Sequence, residues 1–143
     1  MKFLFDASSM LQLIKSFDEE KTLHMLGENC ILDLTKYEVG NALWKELVLH
    51  QAIEEDDFRE FLNLLRKVVI RTKMLAVEPQ KLSDVGRVAA EERITFYDAS
   101  YIIVAKIKNL TLITEDGKLA RAASKHTKTA PSRDIPSSDS TRR

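Results

Sequence analysis

Short apolar runs alternate with stretches of helical periodicity along most of the chain. The apolar runs predict strands, and they are KFLF at 2–5, CILDL at 30–34, KMLAV at 73–77 and LTLIT at 110–114. Between them, apolar residues recur every three to four positions and predict helices at 8–15, 19–26, 35–51, 55–69, after Pro79, at 98–108 and at 118–125. Strands that alternate with helices over short connections predict an α/β fold with a central parallel sheet.

Length and composition indicate one domain followed by a polar end. A chain of 143 residues with 44% hydrophobic content is large enough to bury a core. From Lys125 onward the sequence is rich in Ser, Thr, Lys and Arg and offers little to bury. We therefore expect a domain over residues 1–124 and a flexible polar tail over residues 125–143.

The charge balance and the cysteine count exclude several classes of protein. The 22 basic and 22 acidic side chains cancel, so no global positive field indicates a nucleic-acid-binding protein. The single cysteine, Cys30, excludes an intramolecular disulfide, and the three histidines are too scattered for a zinc motif. No apolar run reaches the roughly 20 residues that cross a bilayer, and Asp6 interrupts the only signal-like start. We expect a cytoplasmic protein without membrane contact.

Four acidic residues occupy unusual positions in this pattern. Asp6 directly follows the first predicted strand, and Asp116 follows the strand LTLIT. Ligands of open α/β sheets bind outside the carboxyl ends of the strands, where both carboxylates are expected to lie. Glu38 and Asp98 lie on predicted helices beside strongly apolar residues, with Thr35 as the available N-cap before Glu38 and Asp98 at the start of its own helix.

Each of these acids has an ordinary structural explanation when it is considered alone. Asp6 or Asp98 can cap a helix, which contributes about 1 kcal/mol, and the EDG sequence is a common turn. If the four carboxylates converge, however, each pair about 4 Å apart repels by roughly 4 kcal/mol at an effective dielectric constant near 20. Such a cluster persists only with a divalent cation or with raised pKa values.

The chemistry of the candidate ligands indicates which cation would bind. Oxygen ligands without histidine or cysteine favour Mg²⁺ or Mn²⁺ over zinc, and such a site can support phosphodiester hydrolysis. Small polar side chains that can orient the ligands lie close to the acids in sequence; they are Ser8, Asn41 and Thr114.

The sequence resembles the PIN-domain ribonucleases, and in particular the VapC-type toxins of prokaryotic toxin–antitoxin pairs. The matching pieces are FLFDASSM at 3–10, LTKYEVGNALWK at 34–45, ITFYDASYIIVAK at 94–106 and LTLITEDGKLARAA at 110–123. They follow one another in the family's order and cover most of residues 2–124.

The resemblance implies a three-layer α/β/α domain and a metal-dependent endoribonuclease. It assigns the catalytic and metal-binding roles to an acidic quartet, namely Asp6, Glu38, Asp98 and Asp116. The small polar residues beside the quartet would be Ser8, Asn41 and Thr114. Asp116 could instead orient water or substrate without touching the metal, and Glu115 is a possible substitute, although on a strand it should point the opposite way.

The resemblance also implies partners. Such toxins form homodimers, cut RNA and are silenced by a small antitoxin protein. The apolar stripes at 8–15 and 55–69, with Trp44, could supply protein contacts, although most of these side chains should belong to the core. The cations expected nearest to RNA phosphates are Lys36, Lys45, Lys118 and Arg121.

Two other enzyme classes with acidic sites fit less well. A haloacid-dehalogenase-type phosphatase needs a second aspartate where this chain has Ser8, and a response-regulator receiver needs adjacent acids near the first strand. A PIN-like fold that serves as a non-catalytic RNA-binding or protein-interaction module remains open as the alternative to the nuclease.

Overall fold

A computed structural model describes residues 2–135 and contains a five-stranded sheet whose neighbouring strands are all parallel. The strands are β1 (Phe3–Phe5), β2 (Cys30–Leu32), β3 (Lys73–Leu75), β4 (Thr111–Ile113) and β5 (Thr129–Ala130). Their order across the sheet is β3-β2-β1-β4-β5. The predicted central parallel sheet is therefore confirmed.

Helices cover both faces of this sheet. They are α1 (Ala7–Lys15), α2 (Glu19–Leu26), α3 (Thr35–Trp44), α4 (Glu55–Arg71), α5 (Leu82–Glu92), α6 (Phe96–Lys108) and α7 (Gly117–Ala123). A π-helical turn, Lys45–Leu49, extends α3, and short 3₁₀ turns occupy Pro79–Lys81 and Ser132–Asp134. Within residues 2–135, no helix combines the length and apolar character that a bilayer crossing needs.

Two hydrophobic clusters lie on opposite faces of the sheet because successive strand residues point to opposite sides. Leu4 and Leu112 pack with apolar residues of α5, α6 and α7. Phe5, Ile31 and Ile113 pack with residues of α1, α2, α3 and α4. The predicted three-layer α/β/α architecture is confirmed by this arrangement.

The predicted N-cap of α3 and the predicted start of α6 were wrong. Thr35 does not cap α3, because its hydroxyl accepts a hydrogen bond from the backbone N–H of Leu32 and contacts the hydroxyl of Tyr101. Asp98 does not start α6, because Thr95 is its N-cap and accepts from the backbone N–H of Asp98. Both errors arise where two cap-forming side chains compete or where a buried partner distant in sequence takes the hydroxyl.

The prediction of a loose segment from Lys125 onward is corrected over residues 129–134. Thr129–Ala130 form an edge strand that pairs with β4, and a 3₁₀ turn follows it. This edge strand is only two residues long and is held to β4 by backbone hydrogen bonds. Its sequence therefore contains no apolar run of the kind by which buried strands are predicted. Residues 136–143 of the predicted tail lie outside the described residues.

The order of strands places a crevice at the carboxyl ends of β1 and β4. The chain steps from β1 outward through β2 to β3, and returns to the other side of β1 with β4 and β5. Ligands of doubly wound sheets bind where the strand order reverses in this way. Asp6 follows β1 and Thr114 follows β4, so both side chains lie at this point.

Candidate active site

Asp6 is the most deeply buried acid of the site. Its side chain caps α1, with Oδ1 accepting from the backbone N–H of Ser9 at 2.9 Å. The hydroxyls of Ser8 (2.8 and 2.9 Å), Ser9 (3.0 Å) and Thr114 (2.5 Å) also donate to its carboxylate. The residue is only 4% exposed. This shell of donors fixes the carboxylate at the end of β1.

Burial sets the protonation behaviour of Asp6. Desolvation is the largest effect and raises the pKa of its carboxyl, while the hydrogen bonds from Thr114, Ser9 and Ser8 lower it in part. The net shift is upward. A carboxylate that is held rigidly and shielded from water favours the binding of a positively charged ligand, because the ligand compensates its charge.

Glu38 enters the site from the first turn of α3. Its Oε1 accepts a 2.8 Å hydrogen bond from the phenol of Tyr101, which also lies 2.7 Å from the Thr35 hydroxyl. Burial raises the pKa of Glu38, the Tyr101 hydrogen bond lowers it, and the negative charges of Asp98 and Asp6 raise it further. Burial and the neighbouring Glu38 likewise raise the pKa of Tyr101, so its phenol stays protonated and acts as a donor.

Asp98 lies in the first turn of α6 and faces the same crevice. Burial is the first cause of its raised pKa, followed by the negative charges of Asp116 and Asp6, while Lys118 acts in the opposite direction. Asp6, Glu38 and Asp98 thus influence one another electrostatically although they come from β1, α3 and α6. We call these three residues together with Asp116 the acid cluster.

Asp116 is the most exposed member of the acid cluster. Its Oδ1 caps α7 by accepting from the backbone N–H groups of Lys118 (2.9 Å) and Leu119 (3.2 Å). Glu115 points elsewhere, because its Oε1 accepts from the N–H (2.8 Å) and hydroxyl (2.5 Å) of Ser132 beside the edge strand β5. The geometry therefore leaves Asp116, and not Glu115, beside Asp98.

Two of the three predicted small polar residues connect the acid cluster to its surroundings. Thr114 donates to Asp6 and accepts from the backbone N–H of Asp116 at 3.0 Å. Ser8 donates to Asp6, accepts from the backbone N–H of Glu115 at 2.9 Å and lies 3.2 Å from the Thr114 hydroxyl. Asn41 is different, since it is exposed and lines a cleft beside Glu38.

The four predicted RNA-contacting cations occupy different environments. Lys118 is close enough to Asp98 to affect its pKa, and Lys45 lines the same cleft as Glu38. Arg121 lies exposed on α7. Lys36 turns away, because its ammonium reaches the Asp33 carbonyl at 3.3 Å and the Met74 sulfur at 3.7 Å.

Sequence reasoning missed Tyr101 and Ser9 as parts of the site. Tyr101 lies in a continuous apolar run, which is typical of a core residue, and its side chain is indeed buried. Its spacing of three residues from Asp98, which places both on one side of α6, is the signal that could have identified it. Ser9 is likewise three residues after Asp6, and its hydroxyl also donates to the Ile113 carbonyl of β4 at 2.9 Å.

The donor set fits a hard divalent cation. Within residues 2–135, no three Asp, Glu, His or Cys side chains form a ready-made coordination group. Mg²⁺ does not require one, since it keeps several waters and binds through one or two carboxylates together with substrate phosphates. Oδ2 of Asp6 can be released if the Thr114 hydroxyl donates to Ser8, which lies 3.2 Å away, while Ser8 donates to Oδ1 at 2.8 Å.

Comparison with known proteins agrees with this geometry. The family model described as PIN domain matches residues 3–125. Exonuclease VapC9 of Pyrobaculum aerophilum is 40% identical over 119 residues, covering 83% of this chain and 84% of the relative. Ribonuclease VapC3 of the same organism is 32% identical over 126 residues, covering 84% and 93%.

A solved structure supports the same relationship. The crystal structure of PAE2754 from Pyrobaculum aerophilum aligns with a TM-score of 0.70 at 37% identity, covering 90% of this chain and 89% of that chain. The resemblance expected from the four sequence pieces is confirmed by these comparisons.

Proposed function

Since the chain belongs to the PIN domain family, we propose that it is a metal-dependent endoribonuclease that hydrolyses RNA phosphodiester bonds. The observation that carries this proposal is the meeting of Asp6, Glu38 and Asp98, each with a raised pKa, at the point where the strand order reverses. Carboxylates that repel one another lower the stability of the protein unless a cation binds them. The names of two relatives, an exonuclease and a ribonuclease, point to cleavage of nucleic acid.

Asp6 and Asp98 are the proposed main ligands of Mg²⁺ or Mn²⁺, with Glu38 assisting and Asp116 completing the site. The bound ion would supply Lewis-acid stabilisation of charge on the phosphodiester and a water nucleophile at neutral pH. The protein's own contribution is positional. Asp6 is fixed by Ser9, and Glu38 is fixed by the phenol of Tyr101.

Two lysines beside the acid cluster support binding of a polyanion. Lys118 lies near Asp98, and Lys45 lies on the cleft beside Glu38. Both are positions from which an ammonium can pair with phosphates on either side of the scissile bond. We propose that these two lysines, with Arg121 at the edge, contact the RNA backbone.

The first prediction tests the activity itself. Purified protein is expected to cut RNA with Mg²⁺ or Mn²⁺, and cleavage is expected to stop with EDTA or in Asp98→Asn prepared identically. A circular RNA and a linear RNA labelled at each end are incubated in parallel. Linearisation of the circular RNA would demonstrate endonucleolytic cleavage. Stepwise shortening of the linear RNA, with the circular RNA left intact, would instead mean that the protein is an exonuclease.

Other outcomes of this assay count against the proposed function. Equal cleavage by Asp98→Asn would identify a contaminating nuclease. A folded protein that binds RNA and metal but cuts neither substrate would favour the non-catalytic RNA-binding module.

We propose that the protein is the toxin of a toxin–antitoxin pair and works as a cytoplasmic homodimer. The names of the VapC relatives support a small antitoxin partner. The surface offers an apolar contact area at the end of α3, where Trp44, Val48 and Leu49 are exposed.

The second prediction concerns this partner. The product of a short reading frame beside the gene should co-purify with the protein and suppress RNA cleavage, because an antitoxin must cover the acid cluster. Light scattering of the protein alone should give twice the mass of one chain. A monomeric mass would contradict the proposed homodimer. Undiminished RNA cleavage by a stable complex would contradict the proposed antitoxin.

A further inference from the structure

Two members of the acid cluster are each preceded by a tyrosine. The pairs are Tyr37–Glu38 on α3 and Tyr97–Asp98 on α6. In a helix, adjacent residues point about 100° apart, so each tyrosine lies beside its acid without sharing its direction. An acid at the crevice therefore places its tyrosine on the neighbouring surface.

The structure brings the two tyrosines to one cleft. Tyr37 is 71% exposed and Tyr97 is 61% exposed. Both line a cleft of about 620 Å³ that also contains Glu38, Asn41 and Lys45. We call this the tyrosine cleft. Because Glu38 belongs both to this cleft and to the acid cluster, the two are continuous.

The third tyrosine of the chain, Tyr101, is buried in contrast to Tyr37 and Tyr97. Tyr101 is 1% exposed and its hydroxyl is hydrogen-bonded to Glu38 and placed against Thr35. The chain thus buries one tyrosine to hold an acid and leaves two open beside the acids. Among the exposed pair, only Tyr37 has a described ring contact, with the ammonium of Lys36 at 4.8 Å from the ring centroid.

We propose that the tyrosine cleft is a nucleobase subsite in which a base of single-stranded RNA, next to the scissile phosphate, stacks on Tyr97 and Tyr37. This inference rests on the proposed function, and it adds the residues that would hold a base of the substrate. Aromatic rings bind bases without strong sequence preference because every base has a π face. Bases inside a duplex are already stacked and cannot enter such a cleft.

The other lining residues suit the same occupant. The exposed Lys45 can pair with a phosphate next to the stacked base, and the amide of Asn41 can both donate to and accept from a base edge. The cleft therefore matches a nucleobase flanked by a phosphate.

The test measures binding of a short single-stranded oligoribonucleotide that carries fluorescent 2-aminopurine. All proteins carry Asp98→Asn and are studied with Mg²⁺, so that the RNA stays intact during the titration. Adding Tyr97→Ala or Tyr37→Ala should weaken binding about 5-fold or more and reduce the quenching of 2-aminopurine, because the stacked ring is lost. Tyr97→Phe and Tyr37→Phe should retain affinity, since phenylalanine stacks equally well.

Two matched controls accompany these variants. Phe17→Ala removes a ring that is 72% exposed outside the tyrosine cleft and should leave RNA affinity unchanged. A duplex of the same sequence should bind all variants alike, because its bases do not reach the cleft. Thermal melting followed by circular dichroism verifies that each variant is folded.

Several results would overturn the inference. Alanine variants that bind single strands as tightly as the parent protein would remove the subsite but leave the proposed nuclease untouched. Alanine variants that retain RNA affinity but lose their dimeric mass would assign the tyrosines to a protein interface. Phenylalanine variants as weak as alanine would mean hydroxyl contacts instead of stacking. A protein with native Asp98 that neither cuts nor binds RNA would overturn the proposed function together with this inference.

Discussion

Asp6→Asn is expected to reduce RNA cleavage by at least about 100-fold while the protein keeps its fold. Even residues that only orient a metal ligand cost about 10- to 100-fold when they are removed, and Asp6 is proposed to bind the ion directly. The measurement is initial cleavage rate at saturating Mg²⁺, together with calorimetric titration of Mn²⁺. Weaker Mn²⁺ binding should accompany the loss of rate.

The fold should survive because asparagine can keep most of the hydrogen bonds around Asp6. Its carbonyl can replace Oδ1, which accepts from the Ser9 N–H and hydroxyl. Its amide can replace Oδ2, where the Thr114 hydroxyl can rotate to accept instead of donate. The substitution also removes a charge from a residue that is 4% exposed. We therefore expect the metal-free variant to melt no lower than the parent protein at neutral pH.

Asp18→Asn is the matched control for this experiment. Asp18 is also an aspartate N-cap, since its side chain accepts from the backbone N–H of Lys21 at 3.0 Å at the start of α2. It lies outside the acid cluster, so the same change there should leave cleavage and Mn²⁺ affinity as they were. Comparable losses in both variants, or undiminished Mn²⁺ binding by Asp6→Asn, would contradict the assignment of Asp6.

The sequence allowed the fold and the position of the acids to be predicted because both depend on local patterns. The apolar runs predicted β1, β2, β3 and β4, and the sequence places Asp6 directly after the first of them. The side of the sheet followed from topology, since the carboxyl ends of parallel strands share one edge. The strands and helices themselves can be predicted from residues that are close in the chain.

The details that the sequence did not reveal depend on contacts between distant segments. Thr35 and Tyr101 are 66 residues apart, and their contact decides that Thr35 serves the buried network instead of capping α3. The N-cap of α6 is a different case, because the hydrogen bond from the backbone N–H of Asp98 to the Thr95 hydroxyl is local and two neighbouring side chains are suited to the same role. The edge strand Thr129–Ala130 is paired through its backbone with β4, which leaves no hydrophobic signature in its sequence.

The stability of the metal-free protein is expected to fall as pH rises from about 4 toward neutrality, and Mg²⁺ or Mn²⁺ is expected to reverse this fall. In the unfolded chain the carboxyls titrate near their ordinary pKa values, 3.8 for Asp6 and Asp98 and 4.5 for Glu38. In the folded protein burial raises all three pKa values. Between the ordinary and the raised values, the native state therefore holds more protons than the unfolded state.

The sign of the effect follows from proton linkage. When the native state binds more protons, the free energy of unfolding decreases with increasing pH. The decrease begins near the ordinary carboxyl pKa values and ends when pH passes the raised values, above which the contribution is constant. Melting temperatures measured with EDTA across this range should show the fall. Asp6→Asn should show a smaller fall than the parent protein or Asp18→Asn, because it lacks one of the three shifted groups.

A divalent cation acts on the same groups with the opposite sign, because it binds the deprotonated carboxylates of the native state. At a concentration about one hundred times its Kd, such a ligand stabilises the folded state by about 2.7 kcal/mol. For a domain of this size, that corresponds to a rise in melting temperature of roughly 10 °C. The rise should be largest at neutral pH and should shrink toward pH 5, where protons compete with the ion for the acid cluster. A rise of equal size at both pH values, or in Asp6→Asn and the parent protein alike, would show that the ion binds elsewhere on the molecule.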